Sequence, residues 1–259
     1  MTTALTSFQN ITRDLPATLE RTSQTPVVSR ESEYYLANIG EIDNVDEFMA
    51  DDRIYRYAMK AAGLEDMTYA KAFIRKVLEE GIDDPKSFSN SLTDTRYKDF
   101  AERFNFKRYG ETATTFGRAQ QGTVDAYVRQ VLEEGAGEDN EGVRLALYFQ
   151  RKASGIETTV ELLGDPALLK VSETLFGLTL SAGNISKNVE LIEKQFDVAD
   201  LQDPEKLGKL LVRFTAMWEI TQPSSTAVSG VALLLAQPTE AGVGQDLLSS
   251  IQNLKLNGG

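Results

Sequence analysis

Apolar residues recur every three or four positions along most of this chain, and glycines interrupt the pattern at intervals. Phe73, Ile74, Val77 and Leu78 fall on one side of a segment spanning 68–80, and Gly81 follows. Val124, Tyr127, Val128, Val131 and Leu132 repeat the arrangement before Gly135, and both segments end in Val-Leu-Glu-Glu-Gly. Spacing of this kind puts side chains on one face of a helix, and a glycine supplies the left-handed residue that closes it. The same pattern predicts helices over 143–153, 185–196 and 204–218. Alternating β-branched runs are absent, and no Asn-Gly turn joins two such runs. Stripes of this sort are buried by packing helix on helix, so the predicted fold class is all-α, a multi-helix protein.

A second pattern lies over the first. Sliding residues 35–64 by 114 positions brings Phe48 onto Leu162, Asp51 onto Asp165, Ile54 onto Leu168, Tyr57 onto Val171 and Gly63 onto Gly177, with no gap. Asp84-Pro85 similarly resembles Asp203-Pro204. A shorter echo sets Asp51, Arg53, Tyr57 and Ala58 against Asp94, Arg96, Phe100 and Ala101. The physical reading is a reused helical unit. An Asp caps the helix N-terminus, aromatic and aliphatic residues bury one face, and a glycine ends it. Two tandem related helical halves are therefore expected, at 31–135 and 143–222. Residues 1–30, polar and broken by Pro16 and Pro26, read as an N-terminal arm or loosely docked helix. Residues 223–259 read as a C-terminal loop and amphipathic helix.

Composition removes several function classes. The chain of 259 residues holds 27 Lys and Arg against 39 Asp and Glu, a net charge of −12. A field of that sign repels phosphate backbones and anionic lipid, so no nucleic-acid partner is expected. The densest basic run, 103–108, is short and sits beside acids. With no Cys and no His, disulfides, thiolate metal sites, Cys nucleophiles and the usual general base are absent. The first 21 residues show no signal-peptide pattern, so synthesis in the cytoplasm without a cleaved leader is expected. The longest apolar stretch, 228–236, falls far short of the ~20 residues a membrane span needs.

Four groups of residues invite a chemical reading. Glu41, Asp43, Asp46, Glu47, Asp51 and Asp52 form an acidic cluster, but the spacing lacks the Gly and Glu of a Ca²⁺ loop, and caps on a solvated face account for it better. The Gly-rich stretch 135–142 follows a helix and contains three acids, so it reads as a linker between the halves and not as a phosphate loop. Ser224, Ser225 and Thr226 have no base nearby to activate them. Tyr34, Tyr35, Tyr55, Tyr57 and Trp218 sit at helical spacing and read as core. No catalytic residue, cofactor or metal is expected. Val243, Leu247, Leu248, Ile251 and Leu254 form an apolar stripe that fits either a last helix docking on its own domain or a partner-binding helix laid in a groove.

Several longer stretches resemble a known family: Tyr34-Tyr35-Leu36-Ala37-Asn38-Ile39-Gly40, Ala58 to Lys71, Lys76 to Gly81, Val143 to Phe149 and Arg213 to Trp218. Together they are similar to an alphaproteobacterial family catalogued as a domain of unknown function, the twelve-seventeen family, over about residues 1–220. That family often has the domain more than once per chain, and several members are encoded among flagellar genes. It has no recognised catalytic residues to carry over. The resemblance implies a role in flagellar assembly or structure, possible export to the flagellum, and flagellar components as protein partners. The leading expectation is thus a non-enzymatic structural or assembly protein acting through helical surfaces. A cytosolic helical adaptor outside the flagellum and a small-ligand-binding protein are the alternatives.

Overall fold

The structure, a computed structural model, describes residues 3–180 and 184–222. The described helices are α1 (Ala4–Arg13), α2 (Leu15–Ser23), α3 (Pro26–Ile39), α4 (Val45–Ala50), α5 (Asp52–Ala61), α6 (Lys71–Glu80), α7 (Phe88–Ser91), α8 (Thr95–Arg103), α9 (Phe106–Tyr109), α10 (Gln121–Asp139), α11 (Glu141–Lys152), α12 (Thr159–Gly164), α13 (Pro166–Phe176), α14 (Ile185–Glu193) and α15 (Pro204–Thr221). Short 3₁₀ turns join some of them, and no strand occurs among the described residues. The all-α expectation therefore holds. Among the described residues no helix is long and apolar enough to cross a membrane.

The apolar stripes condense into two cores. The first gathers residues between Val28 and Val128, with Tyr35, Phe48, Tyr55, Phe100 and Phe104 wholly enclosed. Tyr35, Tyr57 and Tyr127 stack there, with centroids 4.5 and 4.0 Å apart. The second core runs from Val143 to Trp218 and also takes in Ala4 and Phe8 from the far N-terminus. Both lie in the compact unit that extends to Thr221. α10 and α11 pack along each other and join one core to the other.

Two expectations are corrected here. The N-terminal arm is not loose: α1 packs on α11 and α15, with Phe8 buried and the Ala4 N–H donating to Glu219 Oε1 at 2.7 Å. Burial of one Phe contributes roughly 1.5–3 kcal/mol, enough to hold a short helix against its entropy when neighbours help. Nor is 135–142 a linker loop. α10 runs through Gly135 and Gly137 to Asp139, and Asn140 then caps α11 by accepting from Gly142 N at 2.9 Å. Gly137 is small for a different reason: a Cβ there would meet the Arg144 side chain at 2.9 Å. It permits close helix approach and does not end the helix.

Other boundaries follow their caps. Gly81 does close α6, at φ +62°, and a Cβ on it would meet Lys107 at 2.9 Å. α6 begins at Lys71 and not at 68, because 65–67 form a separate 3₁₀ turn. Asn44 caps α4 as Thr158 caps α12. Asp51 caps α5 as Asp165 caps α13, each accepting from the N–H groups two and three residues on. Positions 158 and 165 lie 114 beyond 44 and 51. Gly63 and Gly177, the matched stops, both have positive φ. Asp94, the shorter echo, caps α8 through Arg96 N.

Candidate functional site: a buried ionic junction

The charged groups that escape solvent are concentrated where α10 meets α11. Glu133 is 1% exposed. Its Oε1 accepts from Arg129 Nε and from Arg151 Nε, both at 2.8 Å, and its Oε2 accepts from Arg151 Nη2 at 2.8 Å. Arg129 Nη2 also donates to the Leu147 carbonyl at 3.1 Å. Helical periodicity places Arg129 one turn before Glu133 on α10, and the tight α10–α11 packing brings Arg151 across to Glu133. Burial acts against the Arg151 guanidinium, but the Glu133 hydrogen bonds and charge outweigh it and hold the group above its ordinary value.

Tyr148 and Asp165 lie beside this triad. The Tyr148 hydroxyl donates to Asp165 Oδ2, and the Arg151 guanidinium sits 4.9 Å from the Tyr148 ring centroid. Asp165 Oδ1 accepts from Ala167 N at 2.8 Å and Leu168 N at 3.1 Å. This carboxylate is 1% exposed, yet both its oxygens are occupied. Burial first, and the Asp165 charge second, push the Tyr148 hydroxyl well above the usual phenol range.

α8 meets the second core at this point. Arg96 forks onto Asp94, with Nη2 to Oδ2 at 2.8 Å, and donates through Nη1 to the Gly63 carbonyl that ends the α5 unit. Lys152 reaches Asp99 at 2.7 Å. Gly164 approaches Thr93 so closely that a Cβ would stand 2.3 Å from the Thr93 carbonyl oxygen. An open concavity of about 740 Å³ lies over the junction, walled by Arg96, Gln130, Arg144 and Lys170 among others, with Glu65 and Glu141 facing them. Its charges are mixed and its mouth is wide. A dry, enclosed pocket with a few convergent polar groups, the arrangement that favours small-molecule chemistry, has a different form.

The residues singled out from the sequence distribute as follows. Within the acidic cluster, Asp51 caps α5, Glu47 accepts from Asp43 N at 2.9 Å, Asp46 pairs with Arg75, and Asp52 pairs with Arg56 and Lys71. Among the described residues, no group of three or more acids converges as a metal site. Tyr35, Tyr55, Tyr57 and Trp218 are core, and Trp218 lies against Gly142, where a Cβ would come within 2.3 Å of the ring. Tyr34 sits at the edge of the first core. Val243, Leu247, Leu248, Ile251 and Leu254, together with Ser224, Ser225 and Thr226, lie outside the described residues. Sequence reasoning missed the Arg129–Glu133–Arg151 triad. An Arg four residues before a Glu reads as an exposed helix pair, and nothing local marks it as buried.

Residues 61–207 match the family described as "Protein of unknown function (DUF1217)", a span that crosses the junction and includes parts of both cores. The chain is also similar to a crystal structure of a protein from Agrobacterium tumefaciens, with 50% sequence identity, a TM-score of 0.81, and coverage of 85% of this chain and 94% of that one. No curated protein matches. A family match over more than half the chain, together with a half-identical relative of the same fold, places this protein in the DUF1217 family.

Proposed function

We propose that this protein is a non-enzymatic structural or assembly component that works through helical protein–protein surfaces, in the flagellar setting its family resemblance implies. The observation that supports this most is the closure of the buried ionic junction. Glu133 and Asp165 are fully engaged by arginine, tyrosine and backbone donors. Catalytic acids and bases need a free lone pair or proton facing substrate, and these carboxylates are held in the pattern of a packing element. Recognition then falls to the outward helix faces. The chain's lack of Cys and His supports the same reading.

A deletion strain of the native host tests it. Impaired swimming or defective filaments, with the tagged protein co-purifying with flagellar components, is the expected result. Normal swimming with intact filaments would overturn the flagellar reading. Recovery of the protein in the cytosol alone, with other partners, would favour an adaptor.

A further inference from the structure

The stretch between α6 and α10 is long, residues 81–120, whereas only residues 194–203 separate α14 from α15. Its first part forms α8 and serves the junction. Its second part, α9 and the 3₁₀ turn over Gly110–Thr115, builds something else. Tyr109 and Phe116 meet edge to face, with centroids 4.8 Å apart. The Arg118 guanidinium stands 4.7 Å from each ring centroid. Arg108 lies 5.8 Å from the Tyr109 ring, and Lys107 is exposed on the same turn.

The cluster joins ring contacts to cations that are mostly without an ion-pair partner. Arg53, Arg75, Arg129 and Arg151 each reach a carboxylate. Arg108 does so as well, pairing with Asp83 at 3.3 Å, whereas among the described residues Arg103, Lys107 and Arg118 reach no carboxylate. Arg118 donates only through Nε, to the Arg103 carbonyl at 3.3 Å, and its enclosed Nη2 has no hydrogen-bond partner. Arg103 returns the contact, donating to the Arg118 carbonyl at 3.3 Å and the Gly122 carbonyl at 2.7 Å. Burial pushes the Arg103 guanidinium below its usual value, and the charges of Asp99 and Asp125 do not offset it. In a chain of net charge −12, this is a local cationic island with an aromatic floor, and Phe116 is 36% exposed.

We propose that the patch of Tyr109, Phe116 and Arg118, flanked by Lys107 and Arg108, is a docking surface for a short acidic segment of a protein partner. The proposal rests on the preceding reading of the protein as an interaction module and names its partner chemistry. Arginine and aromatic side chains are enriched at the energetic centres of interfaces, and an arginine held flat against rings is preorganised to receive a carboxylate. Apolar residues beside the acid would rest on Phe116. Extended polyanions fit poorly, because the acidic remainder of the surface repels them beyond the island.

The test uses the full chain, isotope-labelled, and a short peptide of glutamate and leucine as probe. A glutamine–leucine peptide, a single-stranded oligonucleotide and anionic lipid vesicles serve as comparisons. Amide signals of residues 107–118 should shift with the glutamate peptide, and the shifts should collapse at high salt. Arg118→Gln should weaken binding at least about tenfold, the behaviour of a central interface arginine. The solvent-facing Lys107→Gln should weaken it about threefold and leave the fold intact, so the proposal does not hang on the half-buried arginine variant alone. Equal binding of the glutamine peptide, shifts centred elsewhere, no binding, or preference for the oligonucleotide or vesicles would overturn it. Swimming of the deletion strain is read separately, so loss of the flagellar reading would not be mistaken for loss of this surface.

Discussion

At the edge of the first core, the Tyr34 hydroxyl donates to Asp51 Oδ2 at 3.1 Å, and the Arg53 guanidinium covers the Tyr34 ring at 3.7 Å while pairing with Glu31 at 2.7 Å. In the second core Tyr148 donates to Asp165, again across seventeen residues, and Arg151 lies over the ring. In each case the carboxylate caps the next helix and the tyrosine fastens that cap to an earlier helix. The difference is water. The first device is half-exposed and closed by a neighbour on its own helix. The second is sealed beneath α8 and the α10–α11 contact, with Asp165 1% exposed. Local sequence builds the device, and tertiary packing sets its energetic weight, since exposed charged contacts contribute little and buried ones are costly to break.

The largest expected effect follows from removing the central acid of the sealed region. Glu133→Ala leaves Arg129 buried, and Arg151 half-buried, without a counter-charge and should cost about 3 kcal/mol of stability, read from urea denaturation. A loss under 1 kcal/mol would mean that the junction is wetter than the structure has it.

Next comes a direct comparison of the two caps. Asp165→Ala removes a cap and strands the Tyr148 hydroxyl in a dry site, for about 3 kcal/mol in all. Asp51→Ala removes a cap in a half-exposed site, for about 1 kcal/mol. Equal losses would break the comparison.

The smallest effect is a pH dependence. Burial, and then Asp165, raise the Tyr148 hydroxyl above its ordinary value, and burial raises Tyr55 to about 12. A folded-state value above the unfolded value of ~10 favours the protonated tyrosine in the fold. The contribution is thus complete below pH ~10 and is lost as pH rises through the folded-state value. The denaturation midpoint should fall on the alkaline side, and Tyr148→Phe should flatten that fall. An identical alkaline slope in wild type and variant would show that Tyr148 titrates like a free phenol.

Much of the scaffold was legible because its causes are local. Asp51 and Asp165 announce helix starts, and Gly63, Gly81 and Gly177 sit where a left-handed residue is needed. The failures have one physical source, contacts between residues distant in sequence. Gly135 and Gly137 looked like a stop because the crossing of Arg144 against Gly137 is invisible until α11 folds back. Phe8 looked loose because the core that buries it lies beyond residue 140. The ionic triad left no mark in the sequence because Arg151 reaches Glu133 only through the α10–α11 packing. The cationic island at Arg118 was equally hidden. The basic run 103–108 was visible, but that Arg108 finds Asp83 while Arg103 and Lys107 find no carboxylate was not.

Under the proposed function the junction's charges serve packing and recognition lies on the outside. The most direct test replaces Arg129, Glu133 and Arg151 together by Met, Leu and Met, followed by denaturation and partner recovery from the native host. Swapping a buried ion triad for apolar residues of similar volume is commonly neutral or stabilising. The variant should therefore unfold cooperatively at wild-type denaturant or above and recover the same partners. A stable, cooperative variant that recovers none of them would place the protein's activity in the buried charges and contradict the account.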